Sequence, residues 1–210
     1  MTLLRVDASI QGPRSASSAL ADLAQAEFLA ARPSEQVRTR HLGTDPLPSV
    51  AWAAAISGAW TPEEQRTDTQ VAALALAASL ADELRSADAA VLALPLYNFG
   101  VSQHVKAWFD LAMAGAPQGE RLLEGTPVVL VTTRGGAYGP GTPREGWDHS
   151  TDFLRRVLAD VWGADLTLVE RELTLAGVNP AMDALIEPAA LLKKAAHEAA
   201  THAGRALAAR

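Results

Sequence analysis

The chain contains no cysteine, which excludes a disulfide framework, thiolate metal ligands and a cysteine nucleophile. Positive charge is also in short supply: 18 Lys+Arg against 24 Asp+Glu leave a formal net charge of −6. Nucleic acid is therefore not the expected partner, because binding a phosphate backbone takes a basic face. The longest apolar run, Val71 to Ala81, is broken by Ser79 and falls short of the ~18 residues a membrane span needs, so no membrane partner is expected either. The opening Met1-Thr2-Leu3-Leu4-Arg5-Val6-Asp7 is charged too early for a signal peptide, and the expected location is the cytoplasm. GxGxxG, GxxxxGK[ST] and GxSxG are all missing, and with them the standard dinucleotide, nucleoside-triphosphate and α/β-hydrolase signatures.

What is present is 49% hydrophobic and 20% charged residues over 210 positions, a composition suited to a single globular domain spanning 1–210. Leu3 to Asp7 reads as a first strand. A small-residue loop, Ser9 to Ser18, follows, then a helix to about Arg32 that Ser15 or Ser17 can cap. Gln36 to Leu42 alternates as a weaker, edge strand, and Gly43 to Trp60 is a long connection holding a short helix. Thr61-Pro62-Glu63-Glu64 has the form of a capping box with proline at the first helical position, predicting a helix from there to about Ser86. Strands at Ala89 to Leu94, Pro127 to Thr132 and Leu166 to Glu170 are each followed by a helical pattern, the last from Ala189 to Ala209.

Five strands separated by helices predict an α/β fold: a doubly wound, five-stranded parallel sheet in the order 2-1-3-4-5, with helices on both faces. Ligands in such sheets bind beyond the carboxyl ends of the strands, at the crevice between strands 1 and 3. The loops after strands 1, 3 and 4 are accordingly the ones to inspect.

After strand 1, Ser9, Ser15 and Ser17 surround a helix N-terminus, where hydroxyls and free amides favour an anion, above all a phosphate. After strand 3, Leu96-Tyr97-Asn98-Phe99-Gly100 suits a flat heteroaromatic ring, since an Asn amide can both donate to and accept from ring edges. After strand 4, Thr133-Arg134-Gly135-Gly136 exposes backbone amides that can hold an electron-rich ring edge. Singly, each loop also reads as helix capping, core plugging or plain surface. Together, on neighbouring strands at one end of one sheet, they describe a mononucleotide of flavin size.

Other residues invite attention and are set aside. His197 and His202 lie five apart where a zincin helix has four, so no metal site is expected. Asp7 ends strand 1 without the acidic neighbour a receiver domain carries. His149 begins a helix beside the glycine loop, a place for helix capping or for substrate contact.

Leu94-Pro95-Leu96-Tyr97-Asn98-Phe99-Gly100, Lys106-Ala107-Trp108-Phe109-Asp110, Ser9 with Ser15-Ala16-Ser17, Thr132-Thr133-Arg134-Gly135-Gly136 and Asp148-His149 resemble, in order and spacing, the FMN-dependent NADH-azoreductase / NAD(P)H:quinone oxidoreductase family of flavodoxin-like fold. The resemblance implies an FMN phosphate held by Ser9, Ser15 and Ser17 with the amide of Ala16. It implies an isoalloxazine lined by Leu96, Tyr97, Asn98 and Phe99, and a pyrimidine edge met by Thr133, Arg134, Gly135 and Gly136. NADH or NADPH would reduce the flavin, and a quinone or azo compound would take the electrons in a ping-pong cycle. Asn98 and Tyr138 are the candidate catalytic side chains, Tyr138 by stacking on the acceptor or giving it a proton. The family also implies a homodimer with FMN at the interface.

Two features depart from the family pattern. Its Gly-x-Thr-Phe-x-Tyr wall is replaced by Ala114 to Arg121, which has no aromatic, and its acidic position after Pro46-Leu47-Pro48 is replaced by Ala51-Trp52. The first implies a more open substrate pocket. Two other readings share the scaffold: an FMN electron carrier like a flavodoxin, and a specialised biosynthetic reductase. The modest charge and the long 43–60 connection favour the enzyme.

Overall fold

Side chains alternate across the strands, and the alternation divides the core in two. Leu4, Val6, Ala90, Leu92, Val128 and Leu130 join one apolar cluster, whereas Leu3, Ala89, Val91, Ala93, Val129 and Val131 join another, as the period of two in a strand requires. The computed structural model describes residues 1–210. Its strands are β1 (Thr2–Asp7), β2 (Gln36–His41), β3 (Ala89–Ala93), β4 (Pro127–Thr133) and β5 (Asp165–Arg171). All neighbours pair in parallel, and the order is β2-β1-β3-β4-β5, the doubly wound arrangement expected. The three central strands are almost wholly buried, while β2 has no buried residue and β5 only Val169, as suits edges.

Helices α1 (Ala16–Ala31) and α6 (Ile186–Ala208) cover one face; α2 (Ala51–Trp60), α3 (Asp68–Arg85), α4 (Gln103–Ala114) and α5 (Thr151–Arg155) cover the other. On the second face Trp108, Phe109 and Trp162 pack with centroids 5.1–5.8 Å apart. No helix is long and apolar enough to cross a membrane.

Two helix boundaries differ from expectation. The helix predicted to start at Thr61 starts instead at Asp68, where Thr67 and Gln70 close the capping box. Thr61 is already spent on ending α2: its hydroxyl donates to Ser57 O at 2.9 Å, and Arg66 Nε donates to Gly58 O and Thr61 O at 3.0 and 3.1 Å. The helical pattern after the strand at Pro127 to Thr132 is α-helical only over Thr151–Arg155 and continues as a π-helical turn, Arg156–Val161. There Trp162 N bonds Val157 O at 2.9 Å, which turns Trp162 into the core.

Candidate functional site

β1 delivers the chain to a loop that ends in a helix start. Ser15 is extended, caps α1 and accepts a hydrogen bond from Ser18 N at 3.0 Å; its hydroxyl lies 3.2 Å from that of Ser17. Ser9, Ser15 and Ser17 are all buried, and the amides of Ala16 and Ser17 have no partner in the fold. Hydroxyls and unpaired amides at the positive end of a helix dipole make a cradle for an anion. Beneath it lies a buried carboxylate, Asp7. Arg5 neutralises it through Nε at 2.6 Å and Nη2 at 3.1 Å, and Ser18 Oγ donates to it at 2.6 Å.

β3 leads into a tight turn in which Tyr97 and Gly100 exchange backbone hydrogen bonds of 3.0 Å. Its central residues are both left-handed, Asn98 at φ 48° and Phe99 at φ 71°. Asn tolerates that region; a bulky Phe there is strained. His149 N, donating to Phe99 O at 2.9 Å, holds the turn. Tyr97 reaches back to the first loop, where its hydroxyl accepts from Ile10 N at 3.1 Å and lies 3.3 Å from Ser9 Oγ.

β4 ends at Thr133, and Arg134 is turned below the loop. Burial works against its charge, but hydrogen bonds from its guanidinium to Glu170 and Asp148, both 2.6 Å, outweigh that and hold its pKa above the ordinary value. Burial likewise opposes the charge on Asp148. The hydroxyl and amide of Thr151, Arg134 and the amide of Ser150 together hold its pKa below the usual carboxylate range. Asp148, rather than His149, thus holds the start of α5, accepting from Ser150 N and Thr151 N at 2.8 and 2.9 Å.

The amides of Gly135 and Gly136 have no protein partner. Above them runs the loop after β5, with Leu175 N bonded to Gly135 O at 3.2 Å and Leu173 N to Gly136 O at 3.1 Å. A Cβ at Gly135 would stand 2.8 Å from Leu175 Cδ1, so any larger residue there would push the Leu175 side chain aside.

These loops enclose a cavity of about 300 Å³. Of the residues singled out from sequence, Ser9, Ser15, Ala16, Ser17, Leu96, Tyr97, Thr133 and Gly135 line it. Gly136 lies next to it with a free amide, and Asn98 and Phe99 sit exposed on the turn at its rim. Arg134 does not belong to it: its side chain and backbone are committed to bracing, including Thr174 N to Arg134 O at 3.1 Å. Tyr138 faces a neighbouring polar hollow with Arg134, Asp148 and Glu172. Sequence reasoning missed Arg14, Thr174, Leu175 and Val178 in the cavity wall. Three of them lie on the loop after β5, whose residue types carry no chemistry; its place at a carboxyl strand end was the only available signal. Phe99 also packs against Trp147 (5.5 Å, edge-on) and Tyr138 (6.5 Å), so an aromatic surface stands beside the cavity although the 114–121 segment supplies none.

The donor set fits FMN: an anion cradle at one end, apolar walls from Leu96, Leu175 and Val178, and free amides at the other end.

A family model described as flavodoxin-like fold matches residues 1–195. The FMN-dependent NADH:quinone oxidoreductase of Frankia alni is 42% identical over 185 residues, covering 86% of this chain and 87% of the relative. The protein of the same name from Streptomyces avermitilis is 36% identical, covering 99% and 97%. In fold, the chain is similar to an azoreductase from Bacillus anthracis, with TM-score 0.80 at 20% identity over 98% of this chain and 99% of that one. An FMN-dependent NADH-azoreductase from the same species, solved in complex with FMN, gives TM-score 0.68 at 18% identity over 95% and 99%. The chain belongs to the flavodoxin-like family that includes the FMN-dependent NADH:quinone oxidoreductases.

Proposed function

We propose that the protein is an FMN-dependent NADH:quinone oxidoreductase acting on quinones and related flat aromatic acceptors such as azo compounds. One observation carries the reading. An anion cradle, an apolar slot and the unpaired amide of Gly135, with that of Gly136 beside it, occur together at one cavity, at the carboxyl ends of β1, β3, β4 and β5.

The hydroxyls of Ser9, Ser15 and Ser17 and the amides of Ala16 and Ser17 hold the FMN phosphate, and Arg14, which lines the same cavity, adds positive charge. Leu96, Tyr97, Asn98, Phe99 and Thr133 shape the ring pocket. The amides of Gly135 and Gly136 donate to the pyrimidine edge, where preorganised donors stabilise negative charge without reorganising. FMN, when bound, supplies acceptance of two electrons as hydride from NADH or NADPH and their return to the acceptor. No side-chain base is required; Asn98 serves by hydrogen-bonding the bound ring, and Tyr138, in the hollow beside the cavity, by stacking on the acceptor or giving it a proton.

We place the protein in the cytoplasm as a homodimer. Its exposed apolar face on α2 and the residue before it supports the dimer: Val50 (62% exposed), Trp52 (48%), Ile56 (41%) and Trp60 (87%) form a patch that suits a second copy. The deciding experiment is the visible spectrum of the purified protein before and after anaerobic NADH. Flavin absorbance that bleaches is expected; a protein that neither carries nor takes up FMN overturns the reading.

A further inference from the structure

We infer that Arg144, with the aromatic surface of Phe99, Tyr138 and Trp147, forms a subsite for the phosphate-bearing part of the nicotinamide dinucleotide. The inference rests on the proposed function and names how that donor is held. Arg134 spends its charge on Asp148, Glu170 and Glu172, whereas Arg144 is exposed and pairs with no carboxylate. It is nonetheless held in place. Its guanidinium carbon lies 5.8 Å from the Tyr138 ring centroid, a cation–π distance. A Cβ at Gly136 would come within 2.7 Å of its Nη1. The nearest carboxylate in sequence, Glu145, is occupied by Gly141 N at 2.8 Å, and that of Glu172 by Tyr138 N at 3.0 Å.

The charge is therefore parked beside Gly136, next to the cavity-lining Gly135, on the rim of three aromatic rings. Phe99 presents its half-exposed ring at the cost of a left-handed backbone, φ 71°, and such strain persists where the surroundings impose it, most often at ligand sites. Rings flanked by a free guanidinium suit a flat base carrying phosphate. In a chain of net charge −6, a free cation at the mouth also offsets the repulsion an anionic donor meets.

The test compares Arg144→Gln with the unsubstituted holoprotein. The donors are NADH and N-benzyl-dihydronicotinamide, a neutral donor without phosphate; binding of ADP-ribose is followed by tryptophan fluorescence. The expected result is a fall of about tenfold in kcat/KM for NADH, carried by KM, with a matching loss of ADP-ribose affinity. The neutral donor should change less than about twofold on the same scale. Arg144→Lys should recover part of the loss, and Arg155→Gln, which removes an exposed charge from α5, should change neither donor. Equal losses with both donors, or none with either, overturn the subsite. A loss confined to a sulfonated quinone overturns it as well, by moving the charge to the acceptor. An unsubstituted protein that takes up no FMN fails at the proposed function itself and takes this inference with it.

Discussion

At the residue scale, charge and its neutralisation decide what the site can bind. Asp7, only 4% exposed, lies directly under the anion cradle, where an uncompensated carboxylate would repel phosphate. Arg5 and Ser18 absorb it. Replacing Arg5 by Met leaves a buried charge alone, which costs about 3–5 kcal/mol in comparable pairs; urea unfolding should show the loss, and Arg5→Met with Asp7→Asn should recover most of it. In that single variant FMN should also weaken more than riboflavin, which lacks the phosphate.

Ser15→Ala removes both the cap of α1 and one hydroxyl of the cradle. A stability loss of about 1 kcal/mol is expected, together with an FMN affinity lowered about tenfold in a fluorescence titration. The serines were legible from the sequence because hydroxyls at a helix start are local chemistry. Arg134 was not, because its partners Asp148 and Glu170 lie 14 and 36 residues away, and the sign of a side chain's role cannot be read without them.

At the scale of elements, a signal that fits a local motif can be spent on a neighbour. Thr61-Pro62-Glu63-Glu64 and Thr67 with Gln70 both satisfy the form of a capping box, and only tertiary context assigns the first to ending α2 and the second to starting α3. The strands and their order were legible throughout, since apolar runs of strand length alternating with amphipathic helices admit few topologies. The π-helical turn after α5 was not, because the packing of Trp162 rather than any propensity sets it.

The start of α5 is also where pH should act. The pKa of Asp148 is lowered by folding, so its contribution is complete above the ordinary carboxylate value of about 3.9 and is lost as pH falls through the depressed folded value. An Asp148→Asn variant should therefore be less stable near neutrality and lose less stability on acidification. Thermal melts at pH 7 and pH 3 would show the two curves converging; parallel curves would remove Asp148 from the acid limb.

For the whole molecule, the proposed homodimer assigns its interface to the exposed face of α2. Trp60→Glu places a charge at the most exposed tryptophan, 87% accessible. Sedimentation velocity should show this variant as a monomer where the unsubstituted protein is a dimer; a dimer unmoved by the substitution would put the interface elsewhere.

The cavity lies on the seam between β1 and β3, strands that pair although Leu3 and Ala89 are far apart in the chain, and its walls come from four separate loops. A cofactor seated there ties those loops together without a covalent bond, and ligand binding shifts the population away from opened forms. Proteases act on the opened forms. The protein's lifetime in a cell should then track flavin supply: scarce riboflavin would lower its abundance through degradation, before any effect on its catalysis is felt.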